Sequence, residues 1–122
     1  MLLAEDNIVN QKVAVKLLTA RGHRVQVAMN GREAMAAAEQ KAFDAILMDV
    51  QMPLMDGVEA CRAIRKRENG TRHIPIIAVT AHALEHDRNV CKECGMDGFV
   101  TKPIRIEELV SEIERVVYGA PV

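Results

Sequence analysis

The stretch AILMDVQMPLMDG, residues 45–57, decides the fold. AILMDV (45–50) runs apolar except for Asp49, which marks a strand buried on both faces, the kind found inside a parallel sheet. Pro53 and Gly57 punctuate QMPLMDG (51–57), so it is a loop. The chain therefore carries a buried strand that ends in a carboxylate, just where a loop begins. Working outward, IPIIAVT (74–80) is a second buried strand, and RVQVA (24–28) alternates as an edge strand does. LLA (2–4) reads as a short first strand and GFVT (98–101) as a fifth.

Helical patterns separate these strands. Val9, Val13 and Leu17 fall on one helical face, with Gly22 as the stop. An Ala-rich helix covers roughly 32–41 after the Asn30–Gly31 turn. Val58, Cys61 and Ile64 mark a third helix, which ends by Asn69–Gly70. A fourth spans roughly 83–94 with Gly95 as its cap, and a fifth starts near Ile106 and buries Leu109, Val110, Ile113 and Val117. Strand and helix alternate five times. That predicts a doubly wound five-stranded parallel sheet with right-handed crossovers.

The totals agree with one domain spanning 1–122. Hydrophobic residues are 49% and charged residues 27% of 122, while aromatics are only 2%, so the core is aliphatic. A net charge of −1 argues against a general nucleic-acid surface. No apolar run approaches the ~20 residues of a membrane span, and no secretory signal opens the chain. These features predict a cytoplasmic module. The cysteines are Cys61, Cys91 and Cys94, an odd number that does not make a disulfide framework.

In doubly wound sheets, ligands bind past the C-terminal ends of the strands. Glu5 and Asp6 follow strand one, Asp49 ends strand three, Thr80 ends strand four and Lys102 follows strand five. Carboxylates about 5 Å apart repel by ~3 kcal/mol per pair at an effective dielectric of 20. Three together require a cation or protons. A hard divalent ion such as Mg²⁺ suits oxygen ligands. Lys102 offers a positive charge to an anion, and Thr80 a hydroxyl. This is a phosphoryl-handling set without a GxxxxGK[ST] loop. No Ser or Cys stands at the switch point, which makes an aspartate, best Asp49, the candidate nucleophile.

AEDN, ILMDVQMPLMDG, PIIAVTA and GFVTKP, in this order and spacing, resemble the receiver domain of two-component response regulators over essentially the whole chain. VTAHA (79–83) looks most like receivers at the C-terminus of hybrid sensor histidine kinases, which implies a segment of a longer parent chain of the membrane-anchored or soluble kind. The resemblance implies a flavodoxin-like (βα)5 fold with strand order 2-1-3-4-5. It implies Asp49 as phosphoacceptor, with Mg²⁺ (or Mn²⁺) held by Asp6, Asp49, the main-chain carbonyl of Gln51 and, through water, Glu5. It also implies Thr80 and Lys102 as phosphate-sensing residues, Phe99 as the aromatic switch, and a cis Lys102–Pro103 bond. The partner would be a histidine kinase or a histidine phosphotransfer domain, with a homodimer through the helix 4/strand 5/helix 5 face as a further expectation. The domain would promote its own phosphorylation and dephosphorylation.

Weaker signals receive plainer readings. Asp56 before Gly57 reads as a helix N-cap, and RKREN (65–69) as a solvated helix end. His82, His86, Cys91 and Cys94 fall in one helix, where His82 and Cys94 would lie ~18 Å apart, too far for one zinc site. His82 sits close enough to the site mouth to influence water attack on a phosphoryl group. Cys94 and Cys91 read as packed inward. Rival functions fare worse. An aspartyl-nucleophile phosphatase needs a second acid two positions after the nucleophile, where Gln51 stands. A flavin carrier needs a hydroxyl-rich loop after strand one and aromatics over the ring, and both are missing. A receiver used only for protein contacts would not need the complete polar set.

Overall fold

A computed structural model describes residues 1–70, 72–81 and 84–119 of the chain. The elements are β1 (Leu2–Ala4), α1 (Ile8–Ala20), β2 (Gln26–Ala28), α2 (Gly31–Gln40), β3 (Ile46–Asp49), α3 (Gly57–Glu68), β4 (Ile76–Thr80), α4 (Glu85–Glu93), β5 (Gly98–Thr101) and α5 (Ile106–Tyr118). All neighbouring strands pair in parallel, in the order β2-β1-β3-β4-β5. Alternating side chains of the central strands feed two cores. Leu2, Ala4, Ile46, Met48, Ile76 and Ala78 face α2, α3 and α4, where Ala34, Ala38, Ala60, Cys61 and Cys91 meet them. Leu3, Leu47, Ile77, Val79 and Val100 face α1 and α5, where Ala14, Leu18, Leu109 and Ile113 meet them. This division follows from the two-residue period of a strand.

Helix ends are fixed by the expected chemistry. The Asn7, Asn30 and Asp56 side chains accept from the N–H groups of Asn10, Glu33 and Glu59 at 3.0, 2.9 and 2.8 Å. Glu33 reaches back to the Met29 N–H at 2.9 Å, which completes a reciprocal cap. Gly95, at φ +104, takes up the left-handed turn after α4. Strand β4 begins at Ile76 and not at Ile74, because Pro75 has no N–H to donate; its carbonyl still accepts from Ile46 at 2.8 Å.

Two expectations need correction. The buried face of α1 is Ala14 and Leu18, while Val9 and Val13 are exposed. The small Ala14 lets the helix approach Leu3 and Leu47, and the rotation turns the valines outward. RKREN is not a wholly solvated end. Arg65 and Glu68 lie on the same side of α3 as Cys61 and Ile64, and both are largely buried. The Arg65 guanidinium donates to Glu68 at 2.7 Å, Asp97 at 2.9 Å and the carbonyls of Ile74 and Gly95 at 2.8 and 3.0 Å.

The α3 N-terminus closes against the end of β3. The Gly57 N–H donates to the Val50 carbonyl at 2.9 Å. A Cβ at Gly57 would lie 2.3 Å from the Asp49 carbonyl oxygen and 2.9 Å from Val50 Cα, both of them backbone. Gly57→Ala is therefore expected to lower the free energy of unfolding by about 1–3 kcal/mol, read by urea denaturation. An unchanged midpoint would show that this approach is not fixed.

Candidate functional site

The register of the sheet assembles the site. Ala4 pairs with Met48, so Glu5 continues beside Asp49; Asp49 pairs with Val79 and Thr80 with Thr101. The Lys102 N–H donates to the Thr80 carbonyl at 2.8 Å, which carries the β5 end round to the same edge. Lys102–Pro103 is cis. Glu5, Asp49 and Thr80 are buried, while Asp6, at the N-terminal side of α1, is exposed.

One carboxylate oxygen from each of Glu5, Asp6 and Asp49 lies within 4.8 Å of the others. The Lys102 ammonium bonds Asp49 Oδ2 at 2.8 Å and Glu5 Oε1 at 3.1 Å. The backbone N–H of Gln51 donates to Asp49 Oδ1 at 3.1 Å. Gln11 Nε2 holds the Glu5 carbonyl at 2.6 Å from α1. Among the described residues one ammonium faces three acids, so the cluster is short of positive charge. Glu5 shows the consequence. Burial, the hydrogen bond with Asp49 and the Asp49 charge raise its carboxyl above the usual 4.5, against the pull of Lys102. Burial would lower the Lys102 ammonium, but its bonds to Asp49 and Glu5 prevail and raise it above 10.5.

Glu5 Oε2 is buried and has no hydrogen-bond partner in the protein. An unpaired buried carboxylate oxygen costs free energy. A divalent cation with oxygen ligands would satisfy it and also screen the three acids. The donor set therefore fits Mg²⁺. Among the described residues, no other group of three acids, histidines or cysteines is close enough to hold a metal ion. Of the residues weighed for zinc, Cys91 and Cys94 are buried, as expected, and His86 is exposed, while His82 lies outside the described residues.

The aromatic position also lies near this edge. Phe99 is half-buried, with the Arg88 guanidinium of α4 4.9 Å from its ring centroid. The Phe99 N–H donates to Glu112 of α5 at 2.8 Å. Neither Arg88 nor Glu112 is marked by the sequence, because a charged residue on a helix reads as solvated until the neighbouring element is placed. Burial would raise the Glu112 carboxyl, but the Arg115 hydrogen bond and the Phe99 N–H bring it below 4.5.

Comparison with known proteins gives a consistent result. The response regulator receiver domain profile matches residues 1–114. Hybrid signal transduction histidine kinase M of Dictyostelium discoideum is 41% identical over 123 residues, covering 98% of this chain but 5% of that protein. The chain thus spans a small fraction of the curated relatives it matches. The receiver domain of a Pseudomonas aeruginosa sensor histidine kinase is 44% identical with a TM-score of 0.87, covering 98% of this chain and 96% of that one; it holds a magnesium ion in its active site cleft. The receiver domain of the Saccharomyces cerevisiae response regulator Ssk1, solved with the histidine phosphotransfer protein Ypd1, is 28% identical with a TM-score of 0.88, covering 96% of this chain and 87% of that one.

Two outcomes follow from the carboxylates. Glu5 binds its proton more tightly folded than unfolded, so its contribution to stability is full below pH 4.5 and is lost as pH rises through the native value. In EDTA, urea titrations between pH 5 and 8 should show wild type losing stability relative to Glu5→Gln as pH rises; parallel curves would remove the charge-crowding account. Mg²⁺ at ten to a hundred times its Kd should stabilise wild type at pH 8 by about 1.4–2.7 kcal/mol, and Asp6→Asn should gain much less.

Proposed function

The chain belongs to the response regulator receiver domain family, and from that premise we propose that it takes a phosphoryl group from a phosphohistidine onto Asp49 in the presence of Mg²⁺. The observation that carries this reading is the bond from Lys102 to Asp49, inside a cluster of acids that one ammonium cannot neutralise. Membership makes the chain a receiver of two-component phosphorelay signalling; the residue roles below are our reading. Asp6, Asp49 and the Gln51 carbonyl would hold Mg²⁺, with Glu5 acting through water. When bound, Mg²⁺ would supply charge neutralisation at these acids.

The protein's own groups do the rest. Gln51 N–H and Lys102 fix the Asp49 carboxylate from two sides. An Asp49 oxygen attacks phosphorus in line, the phosphorus–nitrogen bond to the donor histidine breaks, and the freed imidazole retains the electron pair. Lys102 exchanges its bond to Asp49 for one to the phosphoryl group and stabilises the charge there. The Thr80 hydroxyl turns to a second phosphoryl oxygen. That movement opens space for Phe99, whose ring leaves Arg88, and the α4–β5–α5 face repacks. The phosphate drives this shift only by the contacts it favours in one arrangement.

The donor would be a histidine phosphotransfer domain or kinase core, and the apolar rim of the site supports this. Ile8 and Val9, 58% and 69% exposed, stand on the first turn of α1, and Leu54, 72% exposed, stands in the loop after Asp49. Val13 of α1 shares a shallow cavity with Pro103 and Ile104 beside Lys102. A helical partner laid on this rim would bring a histidine over Asp49. We further infer that residues 1–122 form one domain of a hybrid histidine kinase, as in the relatives. No helix among the described residues is long and apolar enough to cross a membrane.

A phosphatase reading would need an acid at Gln51, which is instead exposed amide. Treatment with a small phosphodonor and Mg²⁺ should add one phosphoryl group to the intact mass. EDTA or Asp49→Asn should abolish it, whereas Thr80→Ala should keep it. An adduct that survives Asp49→Asn at full level would overturn the assignment.

A further inference from the structure

Three cysteines outside the carboxylate site gather where α3 meets the end of α4. Cys61 projects from α3, Cys91 from α4, and Cys94 caps α4; all three are buried and reduced. Cys61 and Cys94 are 33 residues apart, yet the fold brings the Cys61 side chain onto Cys94, whose carbonyl accepts from the Cys61 thiol at 3.3 Å. The Cys94 thiol in turn donates to the Cys91 carbonyl at 3.0 Å. We propose that Cys61 and Cys94 are an oxidative modification site, joined into a reversible disulfide by a small peroxide, which ties α3 to the end of α4.

The two sulfurs divide the chemistry. The hydrogen bond from Cys61, helped by the Met96 backbone and the Arg62 charge, outweighs burial and brings the Cys94 thiol down to about 7. The same hydrogen bond, with burial, holds the Cys61 thiol far above its ordinary value. Cys94 is therefore the attacking thiolate and Cys61 the resolving thiol. Cys94 sulfur attacks a peroxide oxygen, the O–O bond breaks, and the leaving hydroxide takes a proton to become water. Cys61 sulfur then attacks the Cys94 sulfenic acid, the S–O bond breaks, and the Cys61 proton leaves in a second water. Both sulfurs are oxidised and hydrogen peroxide is reduced.

Access and partner choice also fit. Cys91 and Met96, on either side of Cys94 in the chain, line an open cavity of about 710 Å³ between α4 and α5, so a small molecule reaches the edge of the cysteine cluster at Cys91. Burial raises the Cys91 thiol, and it is its carbonyl that meets Cys94. The link would act on α4, whose Arg88 sits over Phe99. It would thus restrain the helix against which the aromatic side chain packs.

The test is non-reducing peptide mapping after hydrogen peroxide treatment of the folded chain and alkylation of remaining thiols. The expected product has one Cys61–Cys94 cross-link, weighs two hydrogens less, keeps Cys91 alkylatable and reverts with dithiothreitol. In Cys94→Ser the loss of the Cys61 thiol should slow by about tenfold or more, and Cys91→Ser should still cross-link. Three alkylatable cysteines after treatment, a link through Cys91, or Cys94 oxidised beyond sulfenic acid with no link would each overturn the proposal. Because wild type alone decides these outcomes, a variant that folds poorly does not blur them.

Discussion

The structure depends on a charge that is only partly answered. Glu5, Asp6 and Asp49 meet at the C-terminal edge of the sheet, and among the described residues Lys102 alone opposes them. In water such a cluster would be cheap, because a dielectric near 80 reduces each repulsion to under about 1 kcal/mol. Glu5 and Asp49 are instead almost fully enclosed, where repulsion and desolvation both grow. A cluster of this kind persists only where the surrounding fold overrides it. Two aliphatic cores flank β1 and β3 and fix the strands in register, so the acids cannot move apart. Under the proposed function, the same enforced crowding would give a cation and an incoming phosphoryl group a large differential contact to exploit.

Close packing extends that constraint to the backbone. Gly57 lets α3 touch the Asp49 carbonyl, and Gly31 lets α2 receive the Met55 carbonyl at 2.9 Å. The loop between them is therefore held at both ends, although Leu54 at its tip takes a left-handed φ of 66° and faces solvent. Asp49 is thus attached to a rigid frame while the apolar tip beside it stays accessible. The role proposed for Asp49 needs this combination: an oxygen held for in-line attack, and a surface on which a donor can settle.

Much of this was legible in the sequence, for identifiable reasons. AILMDV and IPIIAVT announce central parallel strands because burial on both faces removes alternation, and the strand-end rule then collects Glu5, Asp6, Asp49, Thr80 and Lys102. Asp56 as a cap is local chemistry and was equally readable. The misses share one cause. Whether Val13 or Ala14 faces the sheet depends on how closely α1 packs, and the hydrophobic pattern allows both rotations. Arg65, Glu68, Arg88 and Glu112 look like solvated helix charges until another element supplies Asp97 or Phe99 as a partner. Pairing across distant segments carries no local signal, whereas a strand that ends in an acid does.

The two ends of the sheet now stand in useful contrast. At the N-terminal edge of β4 and β5, Arg65 is surrounded by two carboxylates and two carbonyls, and the carboxylates also accept from backbone: Glu68 from Ile74 N–H at 2.7 Å and Asp97 from Ile76 N–H at 2.9 Å. Here Arg65, Glu68 and Asp97 each have an opposite charge and further hydrogen bonds, the condition under which a buried ion network holds one arrangement. At the C-terminal edge the acids outnumber the cation, and Glu5 Oε2 has no partner in the protein. A saturated network resists change, since any new arrangement loses bonds; an unsaturated one gains by change. Under the proposed function, the C-terminal edge would therefore respond to a metal ion or a phosphate while the opposite edge keeps the strands in place. Because α4 carries Arg88 over Phe99 and ends at its cap Cys94, next to the Gly95 carbonyl that Arg65 holds, it links the saturated end of the sheet to the end proposed to respond.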